Sequence, residues 1–246
     1  MKKLSILLSF AALLFADLAF AQGAVVTSAT GTVQVQTGSA TARPLRQGDE
    51  VRQGDTVSTG SASAAVLKFD DGQVAALTAN SRMTITAYQY NSQARTGNIL
   101  LSLVNGGMRA ITGLIGRNQP ERVAYRAATA TIGIRGTETI VVTDGARVAV
   151  AEKEGTVTVT IGTETYTVTV GQAIYAADGK VTSGTAQQVF NALPQNMQNL
   201  IGSLDNMTAL ILAARIARTD DSVTSTGTPG TNVAPNTTGG GTASPR

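Results

Sequence analysis

The sequence predicts an all-β protein: a solenoid-like or sandwich-like domain of short antiparallel strands, followed by one C-terminal amphipathic helix and a disordered tail. Three observations carry this reading. Strand-sized runs in which valine or isoleucine alternates with threonine recur along most of the chain, as half-buried strands require. Turn pairs such as Asp71-Gly72, Asp144-Gly145, Glu154-Gly155 and Asp178-Gly179 punctuate those runs. From Ala186 the apolar period lengthens from two to alternating steps of three and four, the spacing of one helical face.

The first 21 residues read as a secretory signal peptide. Lys2 and Lys3 precede an apolar run from Leu4 to Ala16, and Ala19-Phe20-Ala21 supplies a small-residue cleavage pattern. An uncleaved anchor would need roughly 20 apolar residues, and Asp17 interrupts the run before that length. The mature protein is therefore expected in the periplasm or outside the cell, with no transmembrane helix. It has no cysteine and no histidine, which removes disulfides, thiolate chemistry, the usual general base and the commonest zinc ligand. No metal, cofactor or catalytic role is expected. Of 19 basic and 16 acidic residues, setting aside Lys2, Lys3 and Asp17 leaves 17 against 15, a net +2 that gives no basis for nucleic-acid binding.

Residues 22–42 are expected to hold a first strand pair, with Val33 and Val35 alternating in G-T-V-Q-V-Q-T-G; the same shape returns as G-T-V-T-V-T-I-G at 155–162. Next, R-Q-G-D occurs twice, at Arg46–Asp49 and Arg52–Asp55, and each Gly-Asp pair reads as a tight corner. A-A-V-L-K-F-D-D-G-Q-V-A-A-L-T reads as a hairpin closed by a two-residue type I′ turn at Asp71-Gly72. Met83 to Tyr90 forms another strand with Tyr88 and Tyr90 on one face, and Ile99 to Ile111 a strand turned at Gly106-Gly107. A glycine-bearing loop, 112–122, follows. In and around it Arg109, Arg117, Arg122, Arg126 and Arg135 face a single acid, Glu121, so the first four are candidate contacts for an anion or an acidic partner.

The central stretch, T-A-T-I-G-I-R-G-T-E-T at 129–139, breaks a strand at Arg135-Gly136 and marks a bent or bulged junction. Beyond it, short strands alternate with glycine turns as far as Gly179. Leu193, Met197, Leu200, Leu204, Met207, Ile211 and Ala214 then make one stripe on a helix over 195–218, with Pro194 at its start. That stripe must be covered, by the β domain, by a second copy in a homodimer, or by a partner. The tail, 219–246, is too polar to bury a core.

Three motifs in order, R-Q-G-D-x-V-x-T-G, F-D-D-G-Q and A-T-A-T-I-G-I-R-G-T-E with its following G-T-V-x-V and V-G-Q strands, resemble the FecR-like periplasmic domain family over residues 45–176. The resemblance implies an all-β module and gives Gly133, Arg135, Gly136 and Thr137 as signature residues that hold the fold. In membrane-bound members the domain links an outer-membrane receptor to a cytoplasmic sigma-factor-binding segment through a transmembrane helix. This chain departs from that plan, with a cleavable signal, no cytoplasmic segment, and a helix and tail instead. The expected organisation is a signal peptide at 1–21, a β-rich FecR-like domain at 22–185, a helical segment at 186–218 and the tail at 219–246. The expected function is non-enzymatic recognition of an envelope protein or cell-envelope polymer, the alternative being a carbohydrate or anion binder using the Arg109–Arg135 basic region.

Overall fold

Alternation of apolar and polar residues gives each strand one inward face, and two such sheets bury those faces against each other. The computed structural model describes residues 23–136 and 138–217. Residues 1–22, 137 and 218–246, on which the expected signal peptide and tail fall, lie outside the described residues.

The strands are β1 (Gly23–Thr30), β2 (Val33–Thr37), β3 (Arg43–Pro44), β4 (Glu50–Arg52), β5 (Asp55–Thr59), β6 (Ala64–Phe69), β7 (Val74–Leu77), β8 (Arg82–Asn91) and β9 (Thr96–Ile111) in the first half. The second half adds β10 (Val123–Ala127), β11 (Ala130–Ile134), β12 (Glu138–Thr143), β13 (Val148–Glu154), β14 (Thr156–Ile161), β15 (Glu164–Thr169), β16 (Gln172–Ala177) and β17 (Lys180–Thr185). All seventeen form one connected, open, mixed sheet folded into two layers. One layer runs β4-β1-β6-β7-β9-β12-β13-β16-β17. The other runs β3-β2-β5-β8-β9-β10-β11-β14-β15.

Strand β9 belongs to both. Its first part pairs with β8 and, in parallel, with β10, while its last six residues pair with β7 and β12 in the other layer. The change of layer falls at Gly106, where φ is +97° and an added Cβ would lie 2.4 Å from Ser81 Cα, so only glycine fits. The turn expected at Gly106-Gly107 is thus a bend in one sixteen-residue strand.

The first strand pair expected from the sequence does not form. β1 pairs with β4 and β6, and β2 with β3 and β5, because the chain changes layer at Gly31-Thr32. The hairpin between β6 and β7 also differs from expectation. Phe69 N–H donates to Gln73 O at 2.8 Å and Gly72 N–H to Phe69 O at 2.9 Å, so the loop is three residues rather than two. The wider loop turns Asp71 inward, where its carboxylate accepts N–H bonds from Gln73 and Ile115. The two R-Q-G-D corners follow their chemistry: Asp49 and Asp55 each accept the N–H of the arginine three residues earlier, both at 2.8 Å.

Between the layers lies the main core, including Val33, Val35, Phe69, Tyr88, Tyr125, Ile132, Val157 and Val159. In the alternating run at 155–162, Val157 and Val159 are fully buried and Ile161 half-buried against the same core. The loop expected at 112–122 holds a short helix α1 (Leu114–Asn118) and a 3₁₀ turn at Pro120–Arg122. Leu114 N–H donates to Asp71 O and Ile115 N–H to the Asp71 carboxylate, so the F-D-D-G-Q loop anchors the start of that helix.

The predicted C-terminal helix is split. A helix α2 (Ala186–Ala192) precedes α3 (Gln195–Asn206) and α4 (Thr208–Ile216). Thr185 and Gln188 form a capping box at the start of α2. The chain breaks before Pro194, which restricts the residue ahead of it, and again at Met207. The stripe packs on the outer face of the first layer: Val189, Leu193, Met197, Ile201, Leu204, Met207, Ile211 and Ala214 are buried against Val66, Val74, Ile140, Val142 and their neighbours. Leu200, counted on the stripe, is only half-buried, and Ile201 takes the deeper place. The face expected to serve a homodimer is thus occupied within the chain.

Arg109 fixes this cover. Projecting from β9 toward the helices and 6% exposed, it donates to Glu138 Oε1 at 2.7 Å, to Leu204 O at 3.2 Å and to Thr208 Oγ1 at 2.9 Å. Arg109→Ala leaves the Glu138 carboxylate without its charge partner in a largely buried site. The expected loss is about 3–5 kcal/mol, read as a lower midpoint in urea unfolding with the transition still cooperative.

Candidate functional site

The signature stretch is the crossing from one layer to the other. β11 ends at Ile134 in the second layer, β12 begins at Glu138 in the first, and the residues between carry the chain across. Gly136 has φ +131°, a region closed to other side chains, and an added Cβ would sit 3.4 Å from Gly155 Cα. Arg135 N–H donates to Thr156 O at 2.9 Å, and Thr112 Oγ1 donates to Gly136 O at 3.4 Å. A register shift between Glu138 and Thr139 completes the bulge that the sequence marks. Gly133 lies against Thr158 in the neighbouring strand. The Arg135 side chain is exposed. Thr137 lies outside the described residues.

Beneath the bend sits an acid that sequence reasoning missed. Glu152 on β13 shares the inward face of Val148 and Val150 and is 2% exposed. It accepts a bond from Thr139 Oγ1 at 2.9 Å through Oε2, while Oε1 has no partner among the described residues. Burial pushes its carboxyl up to about 7, against the lowering effect of the Thr139 hydrogen bond. In the sequence it ends the run V-A-V-A-E, whose alternation places it inward; that phase was the available signal. Glu138, the acid that follows the bend at the start of β12, is paired with Arg109 and holds the fold.

The four candidate arginines do not share a site. Arg109 is buried in its ion pair and hydrogen bonds, so it cannot meet a ligand; apolar flanks in β9 hid this in the sequence. Arg117 is exposed and lines a cleft of about 280 Å³ with Lys68, Asp70, Asp71 and Gly113. Burial is the first cause raising both Asp70 and Asp71. Arg122 is exposed at the end of the 3₁₀ turn, and Arg126 is exposed on β10 between Ser102 and Thr131 in register. Among the described residues no group of three or more histidines, cysteines or acids could hold a metal, and no helix is long and apolar enough to cross a membrane.

The arrangement presents backbone edges, hydroxyls and isolated cations on a stiff frame. Among the described residues the acid raised furthest is Glu152, which faces the core. The folded state holds the Glu152 proton up to about pH 7, whereas the unfolded chain releases it near 4.5. Stability therefore falls as pH rises from about 4.5 to 7 and levels off above that. Glu152→Gln is expected to flatten this dependence and to stabilise the protein at pH 8 by on the order of 2–3 kcal/mol, with little change at pH 4, in denaturant titrations run at both values.

Residues 55–158 match the protein family described as FecR protein. No curated protein matches the sequence. Among solved structures, two crystal structures of a "putative anti-sigma factor" from Parabacteroides distasonis ATCC 8503, at 1.65 and 2.50 Å, match with 18% identity and a TM-score of 0.44. The match covers 55% of this chain and 62% of theirs. The matched segment runs from the second R-Q-G-D corner through the F-D-D-G-Q loop and the signature crossing to β14, and those residues form a FecR domain.

Proposed function

We propose that this chain is an exported, non-enzymatic FecR-domain module that works in the periplasm or outside the cell by recognising another protein, in a signalling or regulatory role. The observation that carries the proposal is the FecR domain at 55–158, whose signature crossing is held from within while Arg135 stands exposed on it. A crossing secured by Arg109–Glu138 and Thr139–Glu152 keeps its outer surface in one shape, which lowers the ordering cost of binding. The leader-like residues 1–21 supply the compartment in this reading.

A second reading rests on Arg117, Arg122 and Arg126, which are exposed and make no salt bridge among the described residues. They would dock an anionic envelope polymer as separate electrostatic contacts.

The two readings separate in one experiment. The chain is produced with its leader in its native host, carrying a photo-crosslinker in place of Arg135, and adducts are identified by mass spectrometry. A dominant adduct with one envelope protein, from a chain that begins at Gln22 in the periplasmic or secreted fraction, is the expected result. Protein adducts no different from those of a crosslinker at Thr86, with polyphosphate binding that disappears in the triple Arg117→Ala, Arg122→Ala, Arg126→Ala variant, would replace the first reading by the second.

A further inference from the structure

The two sides of the folded sheet end differently. On one side the edges are β3, two residues long and containing Pro44, and β4, three residues long and flanked by Glu50 and Arg52. Short, charged or proline-bearing edges are the ordinary protection against further strand pairing. On the other side the edges are β15 and β17, each six residues long, with charge only at their first residues, Glu164 and Lys180. Neither has a neighbour on its outer side among the described residues.

Hairpin geometry fixes which groups those edges offer. In the β14–β15 hairpin the closing pair is Ile161 and Glu164, and in the β16–β17 hairpin it is Ala177 and Lys180, each across a two-residue loop. A closing pair exchanges both its hydrogen bonds, and the pairs then alternate. The N–H and C=O of Thr165, Thr167 and Thr169, and of Val181, Ser183 and Thr185, therefore point away from the sheet. Two contacts agree with this phase. Thr169 N–H donates to Gln172 Oε1 at 3.3 Å, and Thr185 N–H to Gln188 Oε1 at 3.1 Å. Each edge thus has its last outward donor covered by a glutamine three residues on, with the preceding two left open.

We infer that a second copy of this chain pairs with both edges, β15 against β15 and β17 against β17, about a two-fold axis running through Thr167 and Ser183. Antiparallel pairing about Thr167 sends its N–H to the C=O of the partner's Thr167 and its C=O to that residue's N–H, and sends the Thr165 N–H to the partner's Thr169 carbonyl, on the residue whose own N–H is already covered. Ser183 and Val181 do the same on β17, with the partner's Thr185 carbonyl. The open donors and the open acceptors match one another, and Tyr166 and Val168 stay on the inner face. The pairing also carries the two Glu164 carboxylates, and the two Lys180 ammonium groups, to opposite ends of their ladders, where like charges do not meet. Tyr166, half-buried at the end of the core, lines a cleft of about 210 Å³ with Val168, Ile174 and Gly184 that opens on this side, and the partner's copy closes it. Two six-residue edges are fewer residues than a standard interface uses, so the dimer is concentration-dependent.

The absence of cysteine makes the test direct. Thr167→Cys in the full mature chain places two sulfurs across the axis, with Cα atoms about 5.5 Å apart in a hydrogen-bonded pair, within disulfide reach. The expected result is a disulfide-linked dimer on mild oxidation, whereas Thr158→Cys, one strand inside the edge, and Leu212→Cys, on the exposed side of α4, stay monomeric. Thr167→Lys, which sets two ammonium groups face to face, should abolish the dimer in sedimentation equilibrium with an unchanged circular-dichroism melting curve. A wild-type chain that remains monomeric at its highest soluble concentration overturns the proposal. So does cross-linking through Leu212 in preference to Thr167, or a dimer that survives Thr167→Lys.

Discussion

The buried pair of Arg109 and Glu138 is the constraint on which the rest of the structure depends. Arg109 stands on the strand that crosses both layers, Glu138 opens the strand that leaves the signature crossing, and the same guanidinium reaches the end of α3 and the start of α4. Two charges taken out of water repay their desolvation only when every donor and acceptor is placed, so the pair specifies one arrangement of strand, crossing and helix. A structure built from many similar strands needs such a specification, because valine–threonine alternation fits many registers equally well.

The crossings do related work with glycine. Gly106 lets β9 pass from the second layer to the first against Ser81, and at the signature Gly136 serves a crossing in the same direction, from β11 to β12. Ahead of both in the chain, the F-D-D-G-Q loop turns Asp71 into the interior to hold the start of α1. The motifs that mark the FecR domain therefore sit where the chain changes layer or where two elements are tied together, and their chemistry is that of folding. What these ties leave exposed is the Arg135 side chain, the outer face of threonines and the strand edges.

The β class, the turn positions and the amphipathic stripe were legible because each depends on local periodicity. Val157, Val159 and the stripe from Leu193 to Ala214 fall as their phase requires. What was not legible depends on pairing across the chain. Nothing local tells β1 to meet β6 in preference to β2, and nothing in A-I-T-G-L-I-G-R-N announces a helix whose first turn is anchored by an aspartate some forty residues earlier. The arginine cluster misled for the same reason. Proximity in sequence grouped Arg109 with Arg117, Arg122 and Arg126, whereas Arg109 faces the helical cover and the other three are exposed. Splitting of the helix at Met207 also follows from packing, since Arg109 bonds both sides of the break.

The account makes the helical cover an integral part of the fold, and hydrogen exchange measures this most directly. If Arg109 and the buried stripe bind the cover to the sheet, amides of α3 and α4 open with the same free energy as those of β12, and in Glu138→Gln the helices lose protection ahead of the strands. Helical amides that exchange as fast as a free peptide in the unaltered protein, beside fully protected strands, would contradict it.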